Sequence, residues 1–550
     1  MDPPPRKAPR RKDDRVILQF DYDCFYAQVV ENKNPALKSK PLGIKQKNII
    51  ATCNYNARAR GVGKLMLITE AKTLCPDLVL VEGEDLSPFR DVSKTLFGFF
   101  KSYSWNGKVE RLGLDEVFMD VTDIVDYNLF CLNRSSVANS FFHLSRKDPE
   151  SGFTCNLTAI AGCVEGVNRD YDLDSPGYVR LLLGSHLAMH LRTKLEEDFG
   201  YTSTCGIATS KLLSKLVGSR NKPRNQTTLL TLDELDATTF MDGHKLRSIP
   251  GIGFKMASLL ESHMTGAEIA GDPHSFDSTV TVGQLRSSPT ISSASLETLL
   301  GGPGAEKGVG ARVWAHLHGV DPTEVKEKRD VPMQISIEDT YGGLGAMSQI
   351  TEELLKLSCS LLRRMRLDLV ASDENATLSG EKKWLARPRT LRLSIRSWHQ
   401  MHSQNYNRFS RSGTLPPFVF DLNMDIEHIA ERLVVEALLP LLQRLQSEKG
   451  PRWNLQLINI CVANMVAGAG EEKSAVGRDI ASMFKNQDEA LRPWKIVDSP
   501  GELENTREDP DSEGEDSDPD WEAAGSCPRC DRSIPSFALS AHLRYHDMGE

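Results

Sequence analysis

Two acidic clusters stand at the ends of apolar runs. Val16-Ile17-Leu18-Gln19-Phe20-Asp21-Tyr22-Asp23 is rich in β-branched and aromatic residues up to Asp21 and Asp23. About a hundred residues later, Val109-Glu110-Arg111-Leu112-Gly113-Leu114-Asp115-Glu116-Val117-Phe118 repeats the pattern with Asp115 and Glu116. A buried strand carries carboxylates at its end only where a cation meets them. Two such strands side by side would gather negative charge at one point. That suits paired Mg²⁺ ions, which prefer carboxylate oxygens and keep positions open for phosphates. A solvated strand end explains any one of these acids, but the repetition favours metal.

Other residue types add to this chemistry. Tyr55 and Arg58 are three apart, so on a helical turn they share a face, and a phenol beside a guanidinium suits a triphosphate. Lys211 and Lys215 are four apart on a predicted helix that follows a strand broken at Gly206, with Thr209 or Ser210 as its cap. Alone, such a pair is a solvated face. Ile249-Pro250-Gly251-Ile252-Gly253-Phe254-Lys255 reads as a helix-hairpin-helix turn whose glycines let backbone N–H groups approach a phosphate. At the C-terminus, Cys527-Pro528-Arg529-Cys530 is followed by His542 and His546, a spacing that fits one tetrahedral Zn²⁺. Ile480, Met483 and Phe484 make one apolar helical face, a device for docking into a groove.

The elements that must position these groups alternate strand and helix. A helical stretch covers 27–37, a strand Ile49-Ile50-Ala51-Thr52, and a helix 178–199. The polar stretch 127–176 reads as an inserted surface loop, and the Ser/Thr/Gly-rich stretch 272–303 as another. A β-α-β pattern then occurs twice, with strands near 333–339, 390–396 and 455–462 and helices over 347–366 and 426–446. Lys382 to Arg411 holds eight Lys or Arg, and Arg392, Ser394 and Arg396 share a strand face fit for tracking phosphates without reading sequence.

The 550 residues predict several domains, and no run is long and apolar enough to span a membrane. Pro3 to Lys12 is a basic arm without a secretory core, a nuclear address or nucleic-acid contact. The net charge of −9 resides in a tail: Asp498 to Glu522 holds twelve acids against one base, which leaves +2 for the rest. Nine of the eleven cysteines are scattered without a framework spacing, as expected of free thiols in a reducing compartment.

Asp21-Tyr22-Asp23-Cys24-Phe25-Tyr26, Tyr55-Asn56-Ala57-Arg58 and Leu114-Asp115-Glu116 together resemble the signature of the Y-family translesion DNA polymerases. The resemblance covers most of residues 14–465. It implies an α+β right-hand polymerase: a palm over 14–24 and 86–227, fingers over 25–85, and a thumb with the helix-hairpin-helix over 228–328. A little finger over 329–465 would follow. Outside these would lie a disordered basic arm (1–13), a disordered acidic tail with a clamp-binding-like box (466–523) and a small ββα-type zinc finger (524–550).

Carried over residue by residue, Asp21, Asp115 and Glu116 would be catalytic and, with the Tyr22 carbonyl, hold two Mg²⁺ (or Mn²⁺) ions. The backbone of Cys24, Phe25 and Tyr26, with Tyr55, Arg58 and Lys215, would cradle a dNTP, Tyr26 acting as steric gate. Asn221-Lys222-Pro223 with Gln226 completes the signature. Gln46, Lys47, Ile49 and Ala51 match positions that in one branch of the family lie over the templating base, and Ala51 stands where that branch has a bulkier residue. Gly251, Gly253, Lys255, Arg392 and Arg396 would contact primer–template DNA. Ile480, Met483 and Phe484 would meet a sliding clamp, though Gly477 stands where such boxes have Gln. The finger of Cys527, Cys530, His542 and His546 resembles a ubiquitin-binding-type zinc finger, with Arg544 where an acid is usual, and its partner would be ubiquitin or a ubiquitinated clamp.

The implied activity is nucleotidyl transfer opposite damaged or non-canonical template bases, in the nucleus. Alternatives are a nucleotide cyclase on the same palm, which would need neither the helix-hairpin-helix nor the basic domain, and a non-catalytic scaffold, against which the carboxylates argue.

Overall fold

The structure, a computed structural model, describes residues 9–467 apart from 13, 167–171, 267–277, 303, 328–330, 373–381, 398–407 and 447–452. Beyond these it describes only 524–526, 528 and 533–535. Two compact units result, residues 1–468 and 469–550.

The first unit is organised around the strand Ile17–Tyr22, which lies inside a six-stranded sheet. On one side it pairs antiparallel with Glu116–Asp120, itself hairpinned to Val109–Leu112; on the other it pairs antiparallel with Ser203–Ala208. Gln226–Leu230 and Cys163–Gly166 extend the sheet in parallel. Alternation divides the central strand. Leu18, Phe20 and Tyr22 enter a core with Phe97, Phe100, Leu187 and Leu191 from the helices Ser87–Ser102 and Pro176–Phe199. The Phe20 and Phe100 ring centroids are 4.4 Å apart. Gln19 and Asp21 project to the opposite face.

That opposite face is covered partly by the helix Lys211–Gly218, whose N-cap is Ser210. It lies against the sheet because Gly206 has no side chain: a Cβ there would stand 2.0 Å from the Ser214 carbonyl oxygen.

A smaller three-stranded sheet is formed by Leu42–Gln46, Ile49–Cys53 and Val79–Glu82. Ile50, Cys53, Ala57, Val62, Ala71 and Leu78 close its own core. The helix Phe25–Lys33 buries Phe25, Ala27 and Val29 in a core shared by Leu42 and Ile44 of this sheet and by Leu18, Phe20 and Tyr22 of the large one. A helical lobe contains Glu234–Asp242, Phe254–Thr265, Val282–Ser287, Ser293–Leu300 and Val309–Leu317. The last lobe is a four-stranded antiparallel sheet in the order Gln334–Leu344, Leu455–Ala467, Ala386–Ser397, Phe409–Thr414, backed by the helix Met347–Leu369 and the helical run beginning at Ile426.

Two loop expectations are corrected. Residues 127–176 hold a hairpin, Ser140–His143 with Gly152–Cys155, and the edge strand of the main sheet. Residues 272–303 include the helices Val282–Ser287 and Ser293–Leu300, and their Ser/Thr content serves as caps: Thr281 and Ser292 accept from the backbone N–H groups of Gln284 and Ser295. Among the described residues no helix is long and apolar enough to cross a membrane.

Candidate active site

The β-register places the carboxylates. Asp21 and Glu116 are directly opposed across the antiparallel pair, on the same face. Asp115 occupies the last position of the hairpin turn Gly113-Leu114-Asp115, where Gly113 takes the left-handed φ of 68° that the turn needs. The Asp115 carbonyl accepts from the Tyr22 N–H at 2.9 Å, which locks the turn to the end of the central strand. Asp21 and Glu116 therefore face each other across two strands, with Asp115 in the adjoining turn.

Cations answer them. Lys222 Nζ lies 2.7 Å from Asp21 Oδ1. Lys215 Nζ donates to both Glu116 oxygens at 2.8 and 2.7 Å, and Gln19 Nε2 donates to Glu116 Oε1 at 3.0 Å. Burial raises the Asp115 carboxyl above the usual range, and the charges of Asp21 and Glu116 raise it further against a smaller opposing effect of Lys64. Among the described residues no group of three His, Cys, Asp or Glu side chains stands in metal-holding geometry. The donor set nonetheless fits hard divalent ions: clustered carboxylate oxygens whose mutual repulsion a cation relieves.

Asp23 plays a different part. It is buried and accepts from Thr202 Oγ1, Thr204 Oγ1 and the Arg224 N–H at 2.9, 3.0 and 2.9 Å, so it ties the strand end to its neighbours.

A cleft of about 220 Å³ opens beside the acids, lined by Asp21, Asp115, Lys222 and Lys64 together with Tyr26, Tyr55, Arg58 and Ala51. Cys24, in the left-handed region at φ 36°, turns the chain from strand into helix and brings Phe25 and Tyr26 to the wall. The Tyr26 ring stacks on Phe89 with centroids 4.2 Å apart. Asn54 caps the short helix Tyr55–Arg58 by accepting from the Ala57 N–H, and the Arg58 guanidinium lies 4.6 Å from the Tyr55 ring centroid. Burial first, then the charge of Asp23, pushes the Tyr55 hydroxyl up to about 12, while burial pushes the Cys24 thiol up to about 12.

Of the predicted nucleotide contacts, Cys24, Phe25, Tyr26, Tyr55 and Arg58 line this cleft, whereas Lys215 is held at Glu116 outside its lining. Lys222 and Lys64 were not singled out for a phosphate and both line it. Lys222 had a signal in the sequence, the Asn221-Lys222-Pro223 step, but its reach to Asp21 depends on a turn that sequence alone does not fix. Of Gln46, Lys47, Ile49 and Ala51, only Ala51 lines the cleft; Gln46 Nε2 donates to the Gly83 carbonyl at 2.8 Å.

Gly251, at φ 86°, and Gly253, the N-cap of Phe254–Thr265, are exposed on either side of buried Ile252, with Lys255 exposed one step into the helix. Arg392, Ser394 and Arg396 share the sheet face opposite Leu391, Leu393 and Ile395, which are buried. Arg392 donates to Gln334 Oε1 at 3.3 Å, and Ser410 donates to Ser394 at 2.8 Å. Ile480, Met483, Phe484, Cys527, Cys530, His542 and His546 lie outside the described residues. Ala524–Ser526 and Ser533–Pro535 pair antiparallel, so both cysteine positions fall in the segment that joins these strands.

Residues 20–219 match the IMS (impB/mucB/samB) family. The chain is 30% identical over 485 residues to DNA polymerase iota of Mus musculus, covering 88% of this chain and 58% of that protein. It is 32% identical over 453 residues to DNA polymerase iota of Homo sapiens (82% and 52%) and 43% identical over 256 residues to that of Drosophila melanogaster (46% and 32%). The chain thus spans between a third and three fifths of the length of these relatives. The IMS match begins inside the Asp21 strand and ends just beyond the Lys215 helix, so it encloses every carboxylate of the site.

Proposed function

We propose that this protein is a template-directed DNA polymerase of the translesion type. The observation that carries the reading is the opposition of Asp21 and Glu116 in one β-register, with Asp115 locked beside them, at the mouth of a cleft walled by Tyr26, Tyr55 and Arg58. The IMS match over the same residues and the similarity to DNA polymerases iota support it.

In this reading the six-stranded lobe is the palm, the three-stranded lobe the fingers, the helical lobe the thumb and the four-stranded lobe the little finger. Asp21, Asp115, Glu116 and the Tyr22 carbonyl would hold two Mg²⁺ ions, which when bound supply activation of a primer 3′-OH and charge stabilisation at the leaving phosphate. Arg58 and Lys222 bind the triphosphate; a lysine that neutralises Asp21 in the free protein becomes a phosphate donor once that carboxylate has another cation. Tyr26, braced by Phe89, crowds the ribose 2′ position and so selects deoxynucleotides. The exposed Gly251–Gly253 turn and the Arg392/Arg396 face bind duplex phosphates without reading sequence.

The C-terminal unit recruits. Cys527, Cys530, His542 and His546 hold Zn²⁺, supported by the hairpin that brackets both cysteines. With the Ile480/Met483/Phe484 segment it engages a ubiquitinated sliding clamp in the nucleus, each weak contact strengthened by tethering.

Primer extension by the full chain tests the reading. The double substitution Asp115→Ala/Glu116→Ala is expected to lower extension by at least about a thousandfold, the scale of losing transition-state charge stabilisation. Undiminished extension by that variant would overturn it.

A further inference from the structure

Lys47 does not reach into the cleft. It takes the first position of the two-residue turn between Leu42–Gln46 and Ile49–Cys53, in the left-handed region at φ 51°. Its ammonium crosses to the four-stranded lobe. There it meets Asp339 Oδ1 at 2.5 Å and the Thr340 carbonyl, 5.5 Å from the Tyr341 ring centroid. The same turn is fixed to its own lobe: the Lys47 N–H donates to Glu84 Oε1 at 3.0 Å, and Gln46 donates to the Gly83 carbonyl. The turn is therefore clamped from both sides.

The strand that leaves this turn supplies Ala51 and Thr52 to the cleft wall. Lys47 and Ala51 are four residues apart, about 13 Å along a strand. The strand is the edge of its sheet, paired with Leu42–Gln46 on both sides of a bulge at Ala51, so a shift at Lys47 is carried along the backbone through Ile49 and Ile50 to Ala51.

We infer that Asp339 is a positioning residue for base selection. Through Lys47 it holds the Ala51–Thr52 wall at a fixed height and so sets which base pairs the site accepts. This rests on the polymerase reading above. Asp339 is on the Gln334–Leu344 strand, where it also accepts from the Thr340 N–H at 2.7 Å, and is not among the residues that line the cleft, so Lys47 is its link to the cleft wall. Both side chains are nearly half exposed, at 48% and 41%, so the ion pair is weak and a change of a few-fold is the scale to expect.

The test is single-nucleotide insertion by the full chain, with each dNTP opposite each template base, for the wild type, Asp339→Ala, Asp339→Glu, Lys47→Ala and the Lys47→Ala/Asp339→Ala double variant. Primer–template affinity is read in parallel by fluorescence anisotropy. Asp339→Ala is expected to use at least one mismatched nucleotide about two- to five-fold more efficiently relative to the match, with kcat for the match and DNA affinity unchanged. Asp339→Glu restores the wild-type ratio, and the double variant is no less selective than Lys47→Ala alone, because the two residues act as one unit. Unchanged ratios in Asp339→Ala, or additive effects in the double variant, would overturn the inference while leaving the polymerase reading intact. A wild type that extends no primer would instead remove that reading and this one with it.

Discussion

Lys215 holds Glu116 through both carboxylate oxygens, in a setting where the Lys side chain is one-third and the Glu side chain one-seventh exposed. An ammonium so placed competes with a dication for the same lone pairs. Lys215→Ala should therefore tighten divalent-ion binding to the nucleotide-free protein by several-fold, read by Mn²⁺ titration; weaker or unaltered binding would show that Lys215 is no competitor. Asp115 leads to a second prediction. Its carboxyl is raised by burial and by Asp21 and Glu116, so the folded chain disfavours the ionised form. Above the folded pKa that ionisation weakens the fold, and the penalty fades as pH falls toward the ordinary carboxylate value. Asp115→Asn should accordingly melt higher than the wild type in metal-free buffer at pH 7, the gap closing near pH 4. At this scale residue type was legible in the sequence and residue role only in part. Asp21 and Asp23 are alike in type and two apart, yet one faces the cleft and the other is buried under three donors. Period-two alternation would put them on the same face; the strand ends at Tyr22, and that is what separates them.

Strands and helices with strong internal patterns were legible: the Ile17–Tyr22 run, the long helix ending at Phe199, and the Ser210 cap all match their sequence signals. What was not legible depends on distant partners. Cys163–Gly166 is four half-exposed or exposed residues with no alternation to read, and it is a strand because Thr227–Leu230 lies beside it. The helices after Thr281 and Ser292 were hidden by the same Ser and Thr residues that cap them, although Thr281 and Gln284 do have capping-box spacing. Two substitutions separate local from tertiary effects around the Lys211–Gly218 helix. Ser210→Ala should cost about 1 kcal/mol, the usual value of a lost cap. Gly206→Ala should cost far more, because the added Cβ would meet backbone atoms of Ser214 and Gly218 at 2.0 and 2.5 Å and force the helix off the sheet. Similar losses in thermal unfolding would contradict this. The helix Pro176–Phe199 adds a pH dependence. Burial lowers the pKa of His186, which bonds the Ala159 carbonyl at 3.0 Å, and of His190, stacked on Phe153 with centroids 4.1 Å apart. The unfolded chain binds these protons more readily, so their stabilisation is complete above pH 6.5 and is lost as pH falls through the lowered folded values. His190→Phe, which keeps the stack, should flatten the loss of melting temperature between pH 7.5 and 5.5.

Over the whole chain, charge and compactness divide at the same place. Residues 1–468 form one compact unit, which contains the carboxylates, the cleft and the half-buried Arg392 and Arg396. The acidic stretch Asp498 to Glu522 belongs to the other unit, and it alone turns a chain of +2 into one of −9. If the proposed function holds, a tethered polyanion would compete with the nucleic acid for arginines and lysines, and such competition is screened over about 10 Å at 0.1 M salt. Deleting 498–522 should therefore tighten primer–template binding by several-fold at about 50 mM salt and by much less at about 300 mM, where counterions already screen both competitors. The turnover number on saturating DNA should be unchanged, since no cleft residue is removed. Anisotropy titrations at the two salt concentrations, with primer extension on the same preparations, check both halves. A salt-independent gain would point to a specific contact of the tail rather than its charge, and a lost turnover number would mean that the second unit takes part in catalysis.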